Sequence, residues 1–416
     1  MASNYTKDDP VFGTIDLDHQ YVTDSWLVDQ FVGGTLFAWG SNTGGKLGTA
    51  GVNNYYSSPI QVGSLTNWNY VATAINSSFA IKTDGTLWAW GSNTGGVLGD
   101  GTTTSRSSPV QVGALTDWKQ VSGWDATLAI RKNGTLYAWG PGAGGILGGG
   151  PTGTYASTAN YSSPIQVGTL TNWKSIMVAG FTSAYAIKQD GSLWVWGANQ
   201  FGKLGIGNIS SYSSPVQVGS LTNWKQVSSG DYHTLAVKTD GTLWAWGSSV
   251  FGELGTGISG ATAYYSSPVQ VGTLTNWKQV LVSGSGINTS ATSFAIKTDG
   301  TLWAWGANIW GIFGTNFAGN YYSSPIQVGT LTNWKQINGT TTSHSIYATK
   351  TDGTLWAWGA NFGGQLGIGS SAGYYSSPVQ VGSLTNWKYV VGIGRGSGGA
   401  SGRSAAALGI TFADLT

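Results

Sequence analysis

Hydrophobic and polar residues alternate along short stretches of the chain, and this pattern predicts β-strands. One full copy of the recurring unit holds four such stretches, which we label strands A to D: residues 224–227, 234–238, 242–246 and 268–271. Each stretch is rich in Trp, Leu, Val or Ile and is too short for a helix. Between strands B and C stands Asp240-Gly241, a strong hairpin signal because both central residues of a type I′ turn need a positive φ.

Three markers recur seven times in fixed order, so the chain is a repeat protein. Strand C ends in Trp-Gly, strand D carries Ser-Ser-Pro-Val/Ile-Gln-Val-Gly, and strand A begins at Leu-Thr-Asn/Asp-Trp. The strand C glycines recur every 49 to 59 residues, at Gly40, Gly91, Gly140, Gly197, Gly247, Gly306 and Gly359. The matching prolines are Pro59, Pro109, Pro164, Pro215, Pro268, Pro325 and Pro378, and the tryptophans are Trp68, Trp118, Trp173, Trp224, Trp277, Trp334 and Trp387.

The order of strands predicts that the array closes into a ring. The repeats begin with a strand C (34–40) and a strand D (59–62), and they end with an A-like strand (387–391) and a B-like strand (about 405–410). These four strands complete one blade, which leaves no long free sheet edge. We therefore expect an all-β, seven-bladed β-propeller of four-stranded antiparallel blades, with the closing blade shared by the N- and C-terminal ends. The predicted domains are an acidic N-terminal arm at residues 1–33 and the propeller at residues 34–416.

Several motifs resemble those of one repeat family. Residues 225–237 read Lys-Gln-Val-Ser-Ser-Gly-Asp-Tyr-His-Thr-Leu-Ala-Val, and the Asp-Gly turn, Leu-Trp-Ala-Trp-Gly (243–247) and Phe-Gly-Glu-Leu-Gly (251–255) follow. Over about residues 34–410 the chain resembles the RCC1-repeat (regulator of chromosome condensation) propellers. The family's strand B histidine stands at His233 but is replaced elsewhere, as at Ser77 and Ser183. The copies are more alike than those of eukaryotic members and look like bacterial or phage versions.

Composition removes several classes of chemistry. The chain has no cysteine, which excludes disulfides, Cys-based zinc sites and thiol catalysis. Its three histidines, His19, His233 and His344, lack ligand spacing, and Asp231 and Glu253 have no paired acid. We expect no enzyme activity, no cofactor and no metal, and a hydrogen-bonding role in the core for His233.

Charge is sparse and unevenly distributed. Only 9% of residues are charged and the net charge is +2, which gives no reason to expect nucleic acid as a partner. There is no apolar run of membrane-spanning length, and the N-terminus does not read as a signal peptide. Residues 1–33 hold six aspartates against one lysine, so the arm has a net charge of −5. The arm is predicted either to attach to a partner, through Phe12, Trp26 and Phe31, or to pack as a cap on its own propeller.

The aromatic residues divide into two groups. Tryptophans that recur in the repeat are predicted to be wedges between blades. In an antiparallel meander, the B–C turns and D–A connections share one face of the disc and scarcely vary here, whereas the A–B and C–D loops share the other face and vary in length and sequence. Binding usually resides on loops that a rigid scaffold holds. Candidate contacts on this variable-loop face are Trp124, Tyr155, Phe201, Phe251, Trp310, Phe317 and Phe362. The alternative is that some of these aromatic residues pack inside their own loops.

These features lead to one expected function and two alternatives. A composition typical of extracellular proteins without an export signal favours a non-enzymatic structural or adhesive phage virion component (tail, fibre or capsid decoration) assembled in the bacterial host cytoplasm. Its partners would be other virion proteins through the arm, and host glycans or a receptor through the loops, with no membrane insertion. The alternatives are a soluble, cytoplasmic RCC1-type interaction module, since the resemblance includes a nucleotide-exchange factor and a β-lactamase inhibitor, and a glycan-binding lectin.

Overall fold

The computed structural model describes residues 33–149, 159–180, 182–283, 291–339, 344–371, 373–393 and 406–412. In this part of the chain, 28 strands form seven antiparallel four-stranded sheets, which are the predicted seven blades. Strands A line the ring axis, and strands D form the outer edges. Five short 3-10 turns follow strands C, at Thr43–Gly45, Thr94–Gly96, Ala143–Gly145, Gln200–Gly202 and Ile309–Gly311.

The strand bounds follow the repeat. Strands A are β3 (Trp68–Thr73), β7 (Trp118–Gly123), β11 (Trp173–Ala179), β15 (Trp224–Ser229), β19 (Trp277–Ser283), β23 (Trp334–Gly339) and β27 (Trp387–Ile393). Strands B are β4 (Ser77–Lys82), β8 (Thr127–Arg131), β12 (Ser183–Lys188), β16 (His233–Lys238), β20 (Thr292–Lys297), β24 (Ser345–Lys350) and β28 (Ala406–Thr411). Strands C are β1 (Leu36–Ser41), β5 (Leu87–Gly91), β9 (Leu136–Pro141), β13 (Leu193–Gly197), β17 (Leu243–Ser248), β21 (Leu302–Ala307) and β25 (Leu355–Ala360). Strands D are β2 (Tyr55–Gln61), β6 (Arg106–Gln111), β10 (Asn160–Gln166), β14 (Tyr212–Gln217), β18 (Tyr264–Gln270), β22 (Tyr321–Gln327) and β26 (Tyr374–Gln380).

The closing blade is shared by the two ends of the repeat array, as predicted. Its strand order is β2-β1-β28-β27, and Leu36 of β1 pairs with Ile410 of β28. The ends of the array are therefore joined by a continuous hydrogen-bond ladder, which removes the free edges that an open array of sheets would expose.

Strands D begin earlier than predicted. The strand expected to start at Pro268 starts at Tyr264 and ends at Gln270. Its register with strand C shifts between the pairs Ala245–Val269 and Gly247–Tyr265. Pro268 lies within this irregularity on an outer strand, where its missing N–H breaks no ladder bond. The proline therefore did not mark the strand's beginning.

Seven hydrophobic clusters hold the ring together, and each joins two neighbouring sheets. The tryptophan before each strand C glycine lies fully buried in one of them. Its indole Nε1 donates to a backbone carbonyl in the C–D loop of the preceding blade, at 2.7 to 3.0 Å. The seven bonds run from Trp39, Trp90, Trp139, Trp196, Trp246, Trp305 and Trp358 to the carbonyls of Gln365, Lys46, Val97, Ile146, Lys203, Glu253 and Ile312. These tryptophans are the predicted wedges.

The other strand C tryptophans are half-buried and pack against the same inter-blade clusters, where each also contacts a lysine in five blades. Trp244 is half-buried, and the Lys238 ammonium lies 3.6 Å from its ring centroid and 4.8 Å from that of Trp224. Four other blades repeat this arrangement with Lys82, Lys188, Lys297 and Lys350. Because residues two positions apart on a strand point to the same side, Trp244 and Trp246 face the same junction, where both contact Trp224.

The Asp-Gly turn supports this lysine site. The Asp240 carboxylate accepts hydrogen bonds from the backbone N–H and hydroxyl of Thr242, and the Thr242 hydroxyl accepts the indole N–H of Trp244. Gly241 has φ +77°, and a Cβ there would lie 2.0 Å from the Thr275 carbonyl oxygen, so the turn needs glycine. The predicted Asp-Gly hairpin is therefore present, but Gly241 has a positive φ and Asp240 does not, so the turn is not the predicted type I′.

Candidate functional site

The C–D loops of the variable-loop face combine a constant base with a variable tip. At the base of one loop, the buried Asn199 accepts the Leu204 backbone N–H through Oδ1 and donates through Nδ2 to the carbonyls of Asn208 and Ser210. Asn42, Asn93, Asn308 and Asn361 accept the corresponding N–H in their own loops. This shared hydrogen bonding places the residue two positions after each asparagine in the same part of the loop, whatever the loop length.

Three consecutive blades present an aromatic residue at that place, and each one contacts a tyrosine at the start of strand D in the next blade. Phe201 lies 6.5 Å from Tyr264 and 5.4 Å from Tyr232 between ring centroids. Phe251 stacks on Tyr321 at 5.1 Å with an interplanar angle of 17°. The contacts with the strand D tyrosines bring together rings that are 63 and 70 residues apart in the chain.

The third pair extends this row of rings into the next blade. Trp310 packs edge-on against Tyr374 at 5.9 Å and against Phe362 at 5.2 Å. We call the whole set the aromatic arc, and its members are Phe201, Tyr232, Phe251, Tyr264, Trp310, Tyr321, Phe362 and Tyr374. Trp310, Tyr264, Tyr321 and Tyr374 are between 42% and 55% exposed, so the arc offers ring surface to solvent.

Two members of the arc have a backbone conformation that is unfavourable for their residue type. Phe201 and Trp310 have φ +56° and +57°, in the left-handed region. Gly44, Gly95 and Gly144 hold the corresponding position in three other blades, with φ between +68° and +71°. A side chain in this region costs about 1–2 kcal/mol relative to glycine, and such strain concentrates at functional sites.

The partner tyrosines were missed from the sequence, although a signal for them exists. Where the C–D loop of the preceding blade carries Phe or Trp, strand D begins with a tyrosine, at Tyr264, Tyr321 or Tyr374. Where that loop carries glycine, the corresponding residue is Ser105, Asn160 or Ser211. Tyr55 is the one such tyrosine that follows a loop with glycine (Gly363) at this place. A comparison of the loop residue in each repeat with the first strand D residue in the next repeat would have shown this correlation.

Two other predicted contacts, Trp124 and Phe317, do not join the arc. Trp124 is half-buried and lines the cavity of about 270 Å³ along the ring axis, at its variable-loop end. Phe317 is 68% exposed on the same face, and its backbone carbonyl accepts a hydrogen bond from Asn308 Nδ2. Tyr155 and the arm residues Phe12, Trp26 and Phe31 lie outside the described residues.

Buried polar side chains lie beneath the arc. The Glu253 carboxylate accepts the backbone N–H groups of Val250 and Phe251, which fixes the loop that carries the Phe251 ring. Burial raises the pKa of Glu253 to about 7. Lys203 holds the same repeat position, donates to the Gly180 carbonyl at 2.7 Å, and has its pKa lowered to about 7 by burial.

The structure offers little for catalysis or metal binding. His233 is buried, which lowers its pKa to about 3, and its Nε2 lies 2.9 Å from Ser293 Oγ in the next blade. His233 therefore has the predicted hydrogen-bonding role in the core. Among the residues that the structure describes, no group of His, Asp and Glu could hold a metal ion. In the same residues, no helix has the length and apolar character needed to cross a membrane.

Comparison with protein families finds two matches. The model of the RCC1-like domain matches residues 25–292, and that of the RCC1 repeat (regulator of chromosome condensation) matches residues 352–398. The ultraviolet-B receptor UVR8 of Arabidopsis thaliana is 28% identical over 51% of the chain, and the human E3 ubiquitin-protein ligase HERC2 is 29% identical over 84%. The matches span 48% and 7% of those two proteins.

Solved structures share the fold at low identity. Human WBSCR16 superposes with a TM-score of 0.77 at 18% identity, covering 92% of this chain and 100% of the WBSCR16 chain in that structure. Prp20p of Saccharomyces cerevisiae, described with its binding to Gsp1p and histones, also gives 0.77 at 18% identity, over 95% of this chain and 97% of Prp20p. These relatives are eukaryotic, and the expected bacterial or phage type stays a prediction.

Proposed function

Because the chain belongs to the family of RCC1-like domains, we propose that it is a non-catalytic protein-interaction module whose aromatic arc contacts the partner. The observation that carries this proposal is the row of paired rings across consecutive blades, two members of which have a left-handed backbone. Other blades have glycine at this position, as at Gly44, and form the same four strands, so the blade fold is compatible with glycine there.

The chemistry of the arc suits a protein interface. Exposed Trp and Tyr rings supply large contact area, and such residues dominate binding energy at protein interfaces. The inter-ring contacts of Trp310, Phe251 and Phe201 hold the arc in place before binding, which reduces the entropy that a partner must overcome.

Two earlier expectations have less support. The relatives that match the chain include a receptor and a ubiquitin ligase of eukaryotes, which favours an interaction module over a phage virion component. Exposed aromatic rings also suit sugars, so a lectin is the competing outcome of the experiment below. Virion proteins and host glycans as partners are expectations that no observation here supports.

The proposal can be tested with a matched pair of tyrosines. Tyr321 belongs to the arc and is 55% exposed, whereas Tyr55 starts strand D of the closing blade, is 56% exposed, and lies outside the arc. The full chain, Trp310→Gly, Tyr321→Ser and Tyr55→Ser would be used to capture partners from a lysate of the source organism. The identified partner would then be purified and its affinity measured by calorimetry.

We expect Trp310→Gly to weaken binding at least about 10-fold, as for an interface hot spot. Tyr321→Ser should weaken binding less, and Tyr55→Ser should leave it unchanged. Equal affinity of all four proteins would refute the arc as the contact surface. Binding of the wild-type chain to a glycan array, lost in Trp310→Gly, would instead establish the lectin.

A further inference from the structure

Charge is strongly segregated between the two faces of the disc. Among the described residues, the constant face (B–C turns, D–A connections and the adjoining strand ends) carries thirteen basic and six acidic side chains, a net charge of +7. The variable-loop face carries three basic side chains (Lys46, Arg106, Lys203) and four acidic ones (Asp100, Asp125, Asp231, Glu253), a net charge of −1. The chain's overall charge of +2 conceals this difference.

Six of the basic groups lie near the constant-face ends of strands A, the strands that line the ring axis. They follow the first tryptophan of strands A and form what we call the lysine ring: Lys119, Lys174, Lys225, Lys278, Lys335 and Lys388. Lys225 lines the axial cavity. Lys388 Nζ donates at 2.9 Å to Oδ1 of Asn69, which holds the same position in the next blade. This contact joins the strands A of two neighbouring blades at the level of the lysine ring.

The acidic groups of the constant face have local roles. Five are turn aspartates like Asp240, each of which accepts the backbone N–H and hydroxyl of the residue two positions later. The sixth, Asp117, forms a salt bridge with Arg131 at 2.8 Å. The excess of +7 counts all of these carboxylates, so it holds whichever pairs form.

The acidic segment joins the propeller at this same face. Gly34 pairs with Trp68, the first residue of strand A, through Gly34 N–Trp68 O at 2.8 Å and Trp68 N–Gly34 O at 3.2 Å. Residues 1–32 therefore connect to the ring beside the D–A connections. That segment contains six aspartates and one lysine, a net charge of −5.

We propose that the lysine ring is a docking site for the chain's own acidic residues 1–32. The charges are complementary, and the tether at Gly34 keeps the two groups at high effective concentration. Each residue adds up to about 3.3–3.6 Å of reach, so the segment is long enough to cross the face to the axis. Five of the ring lysines are half-buried and Lys388 is buried, so they keep partial contact with solvent, and added salt should weaken the attraction by screening. This inference concerns the face opposite the aromatic arc and does not depend on the proposed function.

Zero-length carbodiimide cross-linking of the full chain tests this proposal, because it joins a carboxylate to an amine only where the two touch. Peptide mapping by mass spectrometry should find Asp8, Asp9, Asp16, Asp18, Asp24 or Asp29 joined to lysines of the ring. The yield should fall several-fold between low salt and about 0.5 M salt. Mixing ¹⁵N-labelled and unlabelled protein distinguishes links within one chain from links between chains.

Two full-length variants serve as matched controls. One changes the six aspartates to asparagine and leaves the propeller untouched, and the other is Lys174→Gln/Lys225→Gln/Lys278→Gln. The aspartate-to-asparagine variant should abolish the cross-links. The lysine-to-glutamine variant removes half of the six amines, so it should lower the cross-link yield at least about two-fold while links to Lys335 persist. Links only to lysines outside the ring, links only between chains, or no links from the six aspartates would each overturn the proposal.

Discussion

Each buried tryptophan donates a hydrogen bond from its indole to a carbonyl of the preceding blade, and the contribution of this bond to stability can be measured. The test compares two junctions between blades, one where the carbonyl accepts a second hydrogen bond and one where the described residues supply none. At one junction, the Val97 carbonyl accepts both Trp139 Nε1 at 2.8 Å and Thr127 Oγ1 at 2.9 Å. At the next, the Ile146 carbonyl accepts Trp196 Nε1 at 2.7 Å, and Ala184 replaces the threonine. The tryptophan is fully buried in both.

Substituting phenylalanine removes the same atoms at both junctions but leaves different carbonyls behind. In Trp139→Phe, Val97 keeps a hydrogen bond from Thr127. In Trp196→Phe, the described residues offer the Ile146 carbonyl no second donor, and a buried acceptor without a partner costs about 1–3 kcal/mol. The lost packing is common to both variants and cancels in the comparison. We therefore expect Trp196→Phe to lose about 1–2 kcal/mol more unfolding free energy than Trp139→Phe.

The assay is guanidinium unfolding followed by far-ultraviolet circular dichroism, with midpoints compared at equal slope. Trp196→Phe/Ala184→Ser is the rescue control, because Ser78 occupies the position of Ala184 in another blade and donates to the Lys46 carbonyl at 2.6 Å. This double variant should recover most of the extra loss. If the two single variants differ by less than about 0.5 kcal/mol, the limit of independent additivity, the explanation from the unpaired carbonyl is refuted.

Three further predictions concern single side chains. Burial raises the pKa of Glu253 from 4.5 to about 7 in the folded state, so its contribution to stability is lost as pH rises through this window. Glu253→Gln should therefore gain up to about 3 kcal/mol of unfolding free energy relative to wild type between about pH 4.5 and 7.5, measured by unfolding titrations. A difference that does not change with pH would contradict burial of the Glu253 carboxyl as the cause. Asp240→Ala should lose about 1–2 kcal/mol of unfolding free energy, because Thr242 loses the acceptor of its two hydrogen bonds. Asp240→Asn should stay within about 0.5 kcal/mol of wild type, since Asn133 makes the same bonds in another blade. Equal thermal midpoints for the two variants would disprove this prediction. Phe201→Gly relieves about 1–2 kcal/mol of backbone strain and loses aromatic contacts of similar free energy, so the unfolding free energy should change by less than about 2 kcal/mol. A larger loss of unfolding free energy would mean that the Phe201 ring is needed for the fold.

Much of the fold could be predicted because its signals are local. The Asp-Gly turns depend on neighbouring residues, and alternation along a strand indicates which side chains are buried. The shared closing blade followed from counting strands at the two ends, without knowledge of any distance. Strands D were the exception, because Pro268 lies in an irregular part of the ladder rather than at the strand's end.

The candidate site was harder to predict because its contacts cross between blades. Phe201, Phe251, Trp310 and Phe362 were selected as loop aromatics, but Phe317 and Trp124 satisfied the same criterion and lie apart from the arc. Exposure and ring pairing depend on the neighbouring blade, which alternation within one blade does not describe. Tyr264, Tyr321 and Tyr374 were missed for that reason.

The sequence by itself determined the number of repeats, the hairpins and the closure of the ring, since each depends on residues a few positions apart or on the order of strands. Only the tertiary structure decided which carbonyl accepts each buried indole, which rings meet in the aromatic arc, and that the basic residues gather on one face. These properties depend on distances between blades, and ring closure brings together residues such as Trp39 and Gln365 that are 326 positions apart.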